Sequence, residues 1–132
     1  MTEETKWLDQ INWDSNGLVP AIAQEKETGK VLTLGWMNQD ALQKTVLEGR
    51  VVYWSRSRNK IWRKGEKSGH IQWVDEIRID CDKDAMLLTV RQDGGIACHT
   101  GRHNCFYMKL HKAEWDITDP VIKDPKEIYK NK

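Results

Sequence analysis

The sequence predicts an α+β fold: one compact, β-rich domain with one main helix. Three observations lead there. A chain of 132 residues has the length of one domain. Its apolar segments are mostly short runs of β-branched and aromatic residues bounded by Gly, Asp or Asn. One segment, about residues 38–48, has helical spacing between a capping residue and a stopping residue.

In chain order, Val19–Gln24 and Lys30–Trp36 read as the strands of a hairpin, with Glu25-Lys26-Glu27-Thr28-Gly29 as its turn. Asn38 caps the helix, Ala41, Leu42, Thr45 and Val46 form its buried face, and Gly49 ends it. Val51–Trp54 is a short strand of strong β formers. Arg56–Gly69, rich in Arg, Lys, Ser and Gly, reads as a long loop, and loops of that length in small domains are usually functional. Alternation from Ile71 to Asp82 predicts a long strand with Ile71, Trp73, Ile77, Ile79 and Cys81 on one face. Asp82-Lys83-Asp84 is a turn or strand end, Ala85–Gln92 the returning strand, and Asp93-Gly94-Gly95 its punctuation. Cys105–Leu110 reads as a last strand. The domain is drawn as 1–115, followed by a loosely held tail, 116–132.

A mean hydropathy of −0.73 in a chain with seven tryptophans favours a core completed by dimerisation. The formal net charge of +1 selects no partner. Charge is uneven, however. Arg56, Arg58, Lys60, Arg63, Lys64 and Lys67 cluster against Glu66 alone, and an acidic stretch follows from Asp75 to Asp84. A basic loop facing an acidic segment suits an anionic ligand held near a metal. With Trp62 interleaved, the loop has the chemistry to bind single-stranded nucleic acid or a small polyphosphate. Its short span and the neutral overall charge argue against a nucleic-acid surface. No apolar run approaches the roughly 18 residues of a membrane span, and no leader pattern is visible, so a cytoplasmic protein with reduced thiols is expected.

Three cysteines, Cys81, Cys98 and Cys105, cannot all pair as disulfides. Three thiolates make most of a zinc shell and leave the fourth position for water, the pattern of a catalytic zinc. Buried free thiols are the competing reading, and the chain has no Cys-x-x-Cys pair. Asp80, Asp82 and Asp84 are hard oxygen donors suited to magnesium, or else a solvated strand end. If Asp80–Asp82 is extended, Cys81 points away from both aspartates and the two metals occupy separate sites; a single mixed cluster needs a turn. His70 and His99 are the candidates for moving a proton to or from water, set against a structural role for each.

Taken together and in order, several segments closely resemble the phosphoribosyl-AMP cyclohydrolase family. They are Gly17-Leu18-Val19-Pro20-Ala21-Ile22, Leu34-Gly35-Trp36-Met37-Asn38 and Tyr53-Trp54-Ser55-Arg56-Ser57-Arg58, then Trp62 through His70, Asp80 through Asp84, and Cys98-His99-Thr100-Gly101 with Cys105-Phe106. The resemblance covers about residues 15–110. It implies a ring-opening hydrolase of histidine biosynthesis that acts on 1-(5-phosphoribosyl)-AMP. It implies zinc (Zn2+) at Cys81, Cys98 and Cys105, assembled across a homodimer with Cys81 from the other subunit, and magnesium (Mg2+) at Asp80, Asp82 and Asp84. Arg56, Arg58, Lys64 and Lys67 would hold phosphates, and Trp62 would stack on the purine. Glu66 and Ser68 belong to the same substrate-binding stretch, and His70 or His99 would carry the proton. A zinc nucleobase deaminase is a poor rival, because it needs His-x-Glu and Pro-Cys-x-x-Cys where this chain has His70-Ile71-Gln72 and no such cysteine pair. A zinc-stabilised binding module is the other rival.

Overall fold

Local signals set the first half of the chain. In the computed structural model, which describes residues 3–129, a 3-10 helix, Glu3–Gln10, leads into strand β1, Val19–Glu25. Strand β2, Val31–Met37, returns antiparallel, so the predicted hairpin forms. Helix α1, Gln39–Glu48, starts where the Ala41 amide donates to Asn38 Oδ1 at 2.8 Å and stops at Gly49, whose φ is 71°. Ala41, Leu42 and Thr45 are buried, but Val46 is 49% exposed, against expectation. Thr45 explains the difference. Its hydroxyl turns inward to donate to the Ala41 carbonyl and accept from the Val52 amide. Val46, one residue further round the helix, therefore faces out.

Strand β3, Val52–Ser55, pairs antiparallel with β4, Lys60–Arg63, in a tight hairpin. This corrects the reading of Arg56–Gly69 as a continuous loop. Ile61 and Trp62 pack against the core, and Asn59 takes the left-handed turn conformation at φ 54°. Local charge therefore hid a strand that tertiary packing stabilises.

Strand β5, Gln72–Ile79, and β6, Met86–Gln92, complete a four-stranded sheet of order β2-β1-β6-β5. Only its central β1–β6 pair is parallel. Two features of β5 depart from the expected long strand. A bulge at Asp75 shifts the register between Val74 and Glu76, so Gln72 and Val74 share the inward face with Ile77 and Ile79, the last 40% exposed, while Trp73 falls on the other face. The strand also ends before Asp80. Residues 80–84 form a turn in which Asp80 Oδ1 accepts from the Asp84 and Ala85 amides at 2.9 and 3.3 Å. The premise of an extended Asp80–Asp82 therefore fails.

Beyond a short 3-10 turn at Asp93–Gly95, strands β7, Met108–His111, and β8, Glu114–Ile117, form a separate ribbon. The last strand was expected to start at Cys105, three residues too early. The segment after Ile117 carries a short helix, α2, Pro125–Ile128, with Ile128 buried. It is tied back by the Ile122 amide to the Gly101 carbonyl and by Arg102 to the Asp119 carbonyl, at 2.8 and 2.9 Å. The main core joins Ala21 and Ala23, Leu32 and Met37, Leu42, Val52 and Tyr53, Leu88 and Val90. Full burial of one such leucine is worth about 1.5–3 kcal/mol. The fold class is thus the predicted α+β, β-rich and with one main helix.

Candidate active site

A cavity of about 520 Å³ opens between β2, the β3–β4 hairpin and the loop that carries Cys98 to Cys105. Its aromatic wall depends on a missing side chain. A Cβ on Gly35 would collide with the Tyr53 ring, and the absence of one lets Tyr53 lie flat beneath Trp62, with centroids 5.5 Å apart.

Beneath this wall, Tyr53, Thr33 and Gln72 close a ring of hydrogen bonds among buried groups. Tyr53 Oη donates to Gln72 Oε1 at 2.9 Å, Gln72 Nε2 donates to Thr33 Oγ1 at 3.3 Å, and Thr33 Oγ1 lies 2.9 Å from Tyr53 Oη. Each side chain can thus give one bond and take one, which satisfies polar groups that burial would otherwise penalise. Burial holds the Tyr53 phenol protonated far into the alkaline range. Sequence reasoning missed all three. The signal for Gln72 was a polar residue on the inward face, which the bulge concealed. Tyr129 also lines the cavity, and nothing in the sequence marked it.

Lys64 enters from the segment after β4 and is only 8% exposed. Its Nζ donates to the Ala97 carbonyl and lies 5.2 Å from the Trp62 centroid. Burial lowers its pKa, and the thiols of Cys105 and Cys98 work in the opposite direction. Arg58, Lys67 and Ser68 also line the cavity. Arg56 does not. Its guanidinium stacks 4.4 Å from the Trp36 ring centroid, in an adjoining shallow groove with Trp54 and Ser57. Glu66 is exposed on the turn after β4 and lies outside the lining.

The cysteine loop is closed by the Ala97 amide to the His103 carbonyl and the Cys98 amide to the Arg102 carbonyl, at 3.0 and 3.1 Å. Asn104, held by Asp119, accepts from the Phe106 amide and completes the turn. This brings Cys105 against Cys98. Cys105 is exposed as a residue, but partial desolvation of its sulfur, with the neighbouring Cys98, pushes the thiol up to about 12, opposed by Lys64. Cys98 is buried and accepts from Thr100 Oγ1 at 3.0 Å. Cys81 is exposed on the 80–84 turn and forms no three-ligand cluster with the other two thiols among the described residues.

That turn instead gathers the carboxylates of Asp80, Asp82 and Asp84 within 4.8 Å of one another. Backbone amides, first that of Asp84, lower the Asp80 pKa. The hydrogen bond shared with Asp80, together with the Asp80 and Asp82 charges, raises that of Asp84. Such mutual repulsion is what a hard cation relieves.

The two histidines stand differently to the cavity. His99 is exposed and lines the cavity. His70 is half-buried and outside the lining, its ring filling the space over Gly94 and its amide donating to Ser68 Oγ at 3.1 Å. Burial, then the charges of Lys123 and Lys64, lower its pKa below the ordinary imidazole value. A neutral imidazole accepts protons.

A concave pocket with an aromatic wall, cations at its side, and a thiol pair and histidine in its lining has the build of a small-molecule enzyme. Comparison with known proteins makes this specific. The family model of phosphoribosyl-AMP cyclohydrolase matches residues 33–107. A phosphoribosyl-AMP cyclohydrolase of Azoarcus sp. (strain BH72) is 59% identical over 130 residues, 98% of this chain and 99% of that protein. One from Albidiferax ferrireducens is 64% identical, covering 94% of this chain and 98% of the relative. A third, from Nitrosomonas europaea, is 60% identical over 94% and 96%. The chain belongs to the phosphoribosyl-AMP cyclohydrolase family. Among the described residues, no helix is long and apolar enough to cross a membrane.

Proposed function

We propose that this chain opens the purine ring of 1-(5-phosphoribosyl)-AMP at the N1–C6 bond, giving the formimino-aminoimidazole carboxamide ribotide of histidine biosynthesis. The observation that carries the reading is the Cys98–Cys105 pair beside a cavity walled by Trp62 and Tyr53 and flanked by Arg58 and Lys67, in a chain of this family. The aromatic wall stacks the purine. Arg58 and Lys67 take phosphate oxygens, and Ser55, Ser57 and Ser68 offer hydroxyls.

The donor chemistry fits zinc at the thiols. Cys98 and Cys105 supply two soft ligands, and Cys81 of a second copy supplies the third. A homodimer accounts for two further observations. Cys81 does not cluster with the pair within one chain. Phe106 is exposed just before the β7–β8 ribbon, and on the ribbon exposed Met108 pairs with Ile117 and Leu110 with Trp115, so these four share one apolar face. Zinc bound there supplies a Lewis acid that brings the pKa of water near neutrality. Asp80, Asp82 and Asp84 suit magnesium, which would order the 80–84 turn that carries Cys81. A reducing cytoplasm keeps all three thiols free.

Alkylation at N1 makes C6 electrophilic. Water adds at C6, the N1–C6 bond breaks, and the oxygen stays on C6 as the carboxamide. One proton passes from the water to the departing N1. His99, exposed in the cavity, is placed to carry it. His70, next to the cavity-lining Ser68, is the second candidate to carry it.

Turnover in ¹⁸O-water tests the bond assignment. The expected product gains one water and carries one ¹⁸O in the carboxamide. Release of ammonia with the ring intact would contradict it.

A further inference from the structure

Lys64 is a buried ammonium whose neighbours are almost all neutral. Its hydrogen-bond acceptor is the Ala97 carbonyl and its cation–π partner is Trp62. Among the described residues, no Asp or Glu is paired with it. Buried charges are normally paired, because desolvation otherwise disfavours them strongly. The groups near it that can carry negative charge are the thiols of Cys98 and Cys105. Its anchor is equally specific. Ala97 immediately precedes Cys98, so the contact fixes Nζ against the cysteine loop. A phosphate clamp would sit at the rim with an exposed head, as Arg58 and Lys67 do.

We infer that Lys64 is the fixed counter-charge of the metal site: a positioning residue that balances the Cys98 and Cys105 thiolates and holds their loop through the Ala97 carbonyl. The inference rests on the zinc reading above. A zinc ion with three thiolate ligands carries a net charge of −1, and one buried ammonium neutralises it. Groups beyond the direct ligands commonly tune metal affinity in this way, and losing one typically costs about 10–100-fold. Without metal, the same ammonium is an uncompensated buried charge. Lys64 should therefore strengthen zinc binding while adding no net stability to the zinc-free protein, where the cost of its buried charge offsets its bond to the Ala97 carbonyl.

Two measurements on the full-length protein test this. Zinc affinity is read by competition with a chromophoric chelator for wild type, Lys64→Met, Lys64→Gln and Cys98→Ala. Thermal unfolding is read on the zinc-free forms. The expected result is zinc binding at least tenfold weaker in both lysine variants, with zinc-free proteins melting no lower than wild type. The Gln variant serves if Met fails to fold. Wild-type zinc affinity in the lysine variants, with a raised substrate KM, would make Lys64 a phosphate ligand and overturn the inference alone. A lower melting point of both zinc-free variants would make it a structural residue and also overturn it. If Cys98→Ala binds zinc as wild type does, the zinc reading itself falls, and the inference with it.

Discussion

Replacing Gln72 by Leu probes the buried ring beneath the pocket while nearly preserving side-chain volume. Tyr53 Oη loses its acceptor at 2.9 Å, and Thr33 Oγ1 loses a longer bond at 3.3 Å. The first loss leaves a buried hydroxyl donor unsatisfied, at about 1–3 kcal/mol. The second adds up to about 1 kcal/mol, because Thr33 and Tyr53 still bond to each other. The sum is about 1–4 kcal/mol, or a fall in Tm of roughly 3–16 °C for a domain of this size. Tyr53→Phe alone leaves Gln72 Oε1 without its donor and should cost about 1–3 kcal/mol by the same rule. In the double variant the costs should then fall short of additivity by about 1 kcal/mol or more. Urea unfolding of the four proteins measures the cycle. A Gln72→Leu variant within about 0.5 kcal/mol of wild type, or strict additivity, would refute the closed ring.

Other consequences concern assembly and ionisation. Trp115, 67% exposed in one chain, should be buried between two copies. Trp115→Glu is therefore expected to shift sedimentation from dimer towards monomer and to lower zinc content with it; an unchanged dimer would place the interface elsewhere. Asp82→Asn removes one carboxylate of the 80–84 cluster and should raise the magnesium concentration needed for half-maximal activity, which a titration measures. His70 has a lowered pKa, so the folded protein binds that proton less readily than the unfolded chain. Its contribution to stability falls as pH drops through about 6.5 and levels off below the folded-state pKa. His70→Asn should flatten that part of the stability–pH curve.

The elements legible in the sequence were those with local causes. The β1–β2 hairpin follows from its turn, and α1 follows from Asn38 and Gly49. β4 was hidden because its support is tertiary: Tyr53 stacks on Trp62, and Ile61 packs on the core, within a stretch whose composition reads as loop. The bulge at Asp75 was hidden because Trp73, Ile77 and Ile79 satisfy a simple alternation. Trp73 instead spends its indole N–H on Asp93 Oδ2 at 2.9 Å, in a half-buried setting. The site divides in the same way. Residue types that carry chemistry, the cysteines, aspartates and histidines, stand out in the sequence. Their grouping does not, since Cys98 meets Cys105 through a turn held by Asn104 and Asp119, while Cys81 lies on a different loop. Lys64 was legible as a cation of the binding stretch, but its burial under Trp62 was not.

The most direct test of the account is the ultraviolet absorbance change on mixing the protein with 1-(5-phosphoribosyl)-AMP, before and after treatment with a zinc chelator. The account predicts ring opening that stops on chelation and returns when zinc is added back. Full turnover by protein shown to be free of zinc, or none by folded protein replete with zinc and magnesium, would contradict it.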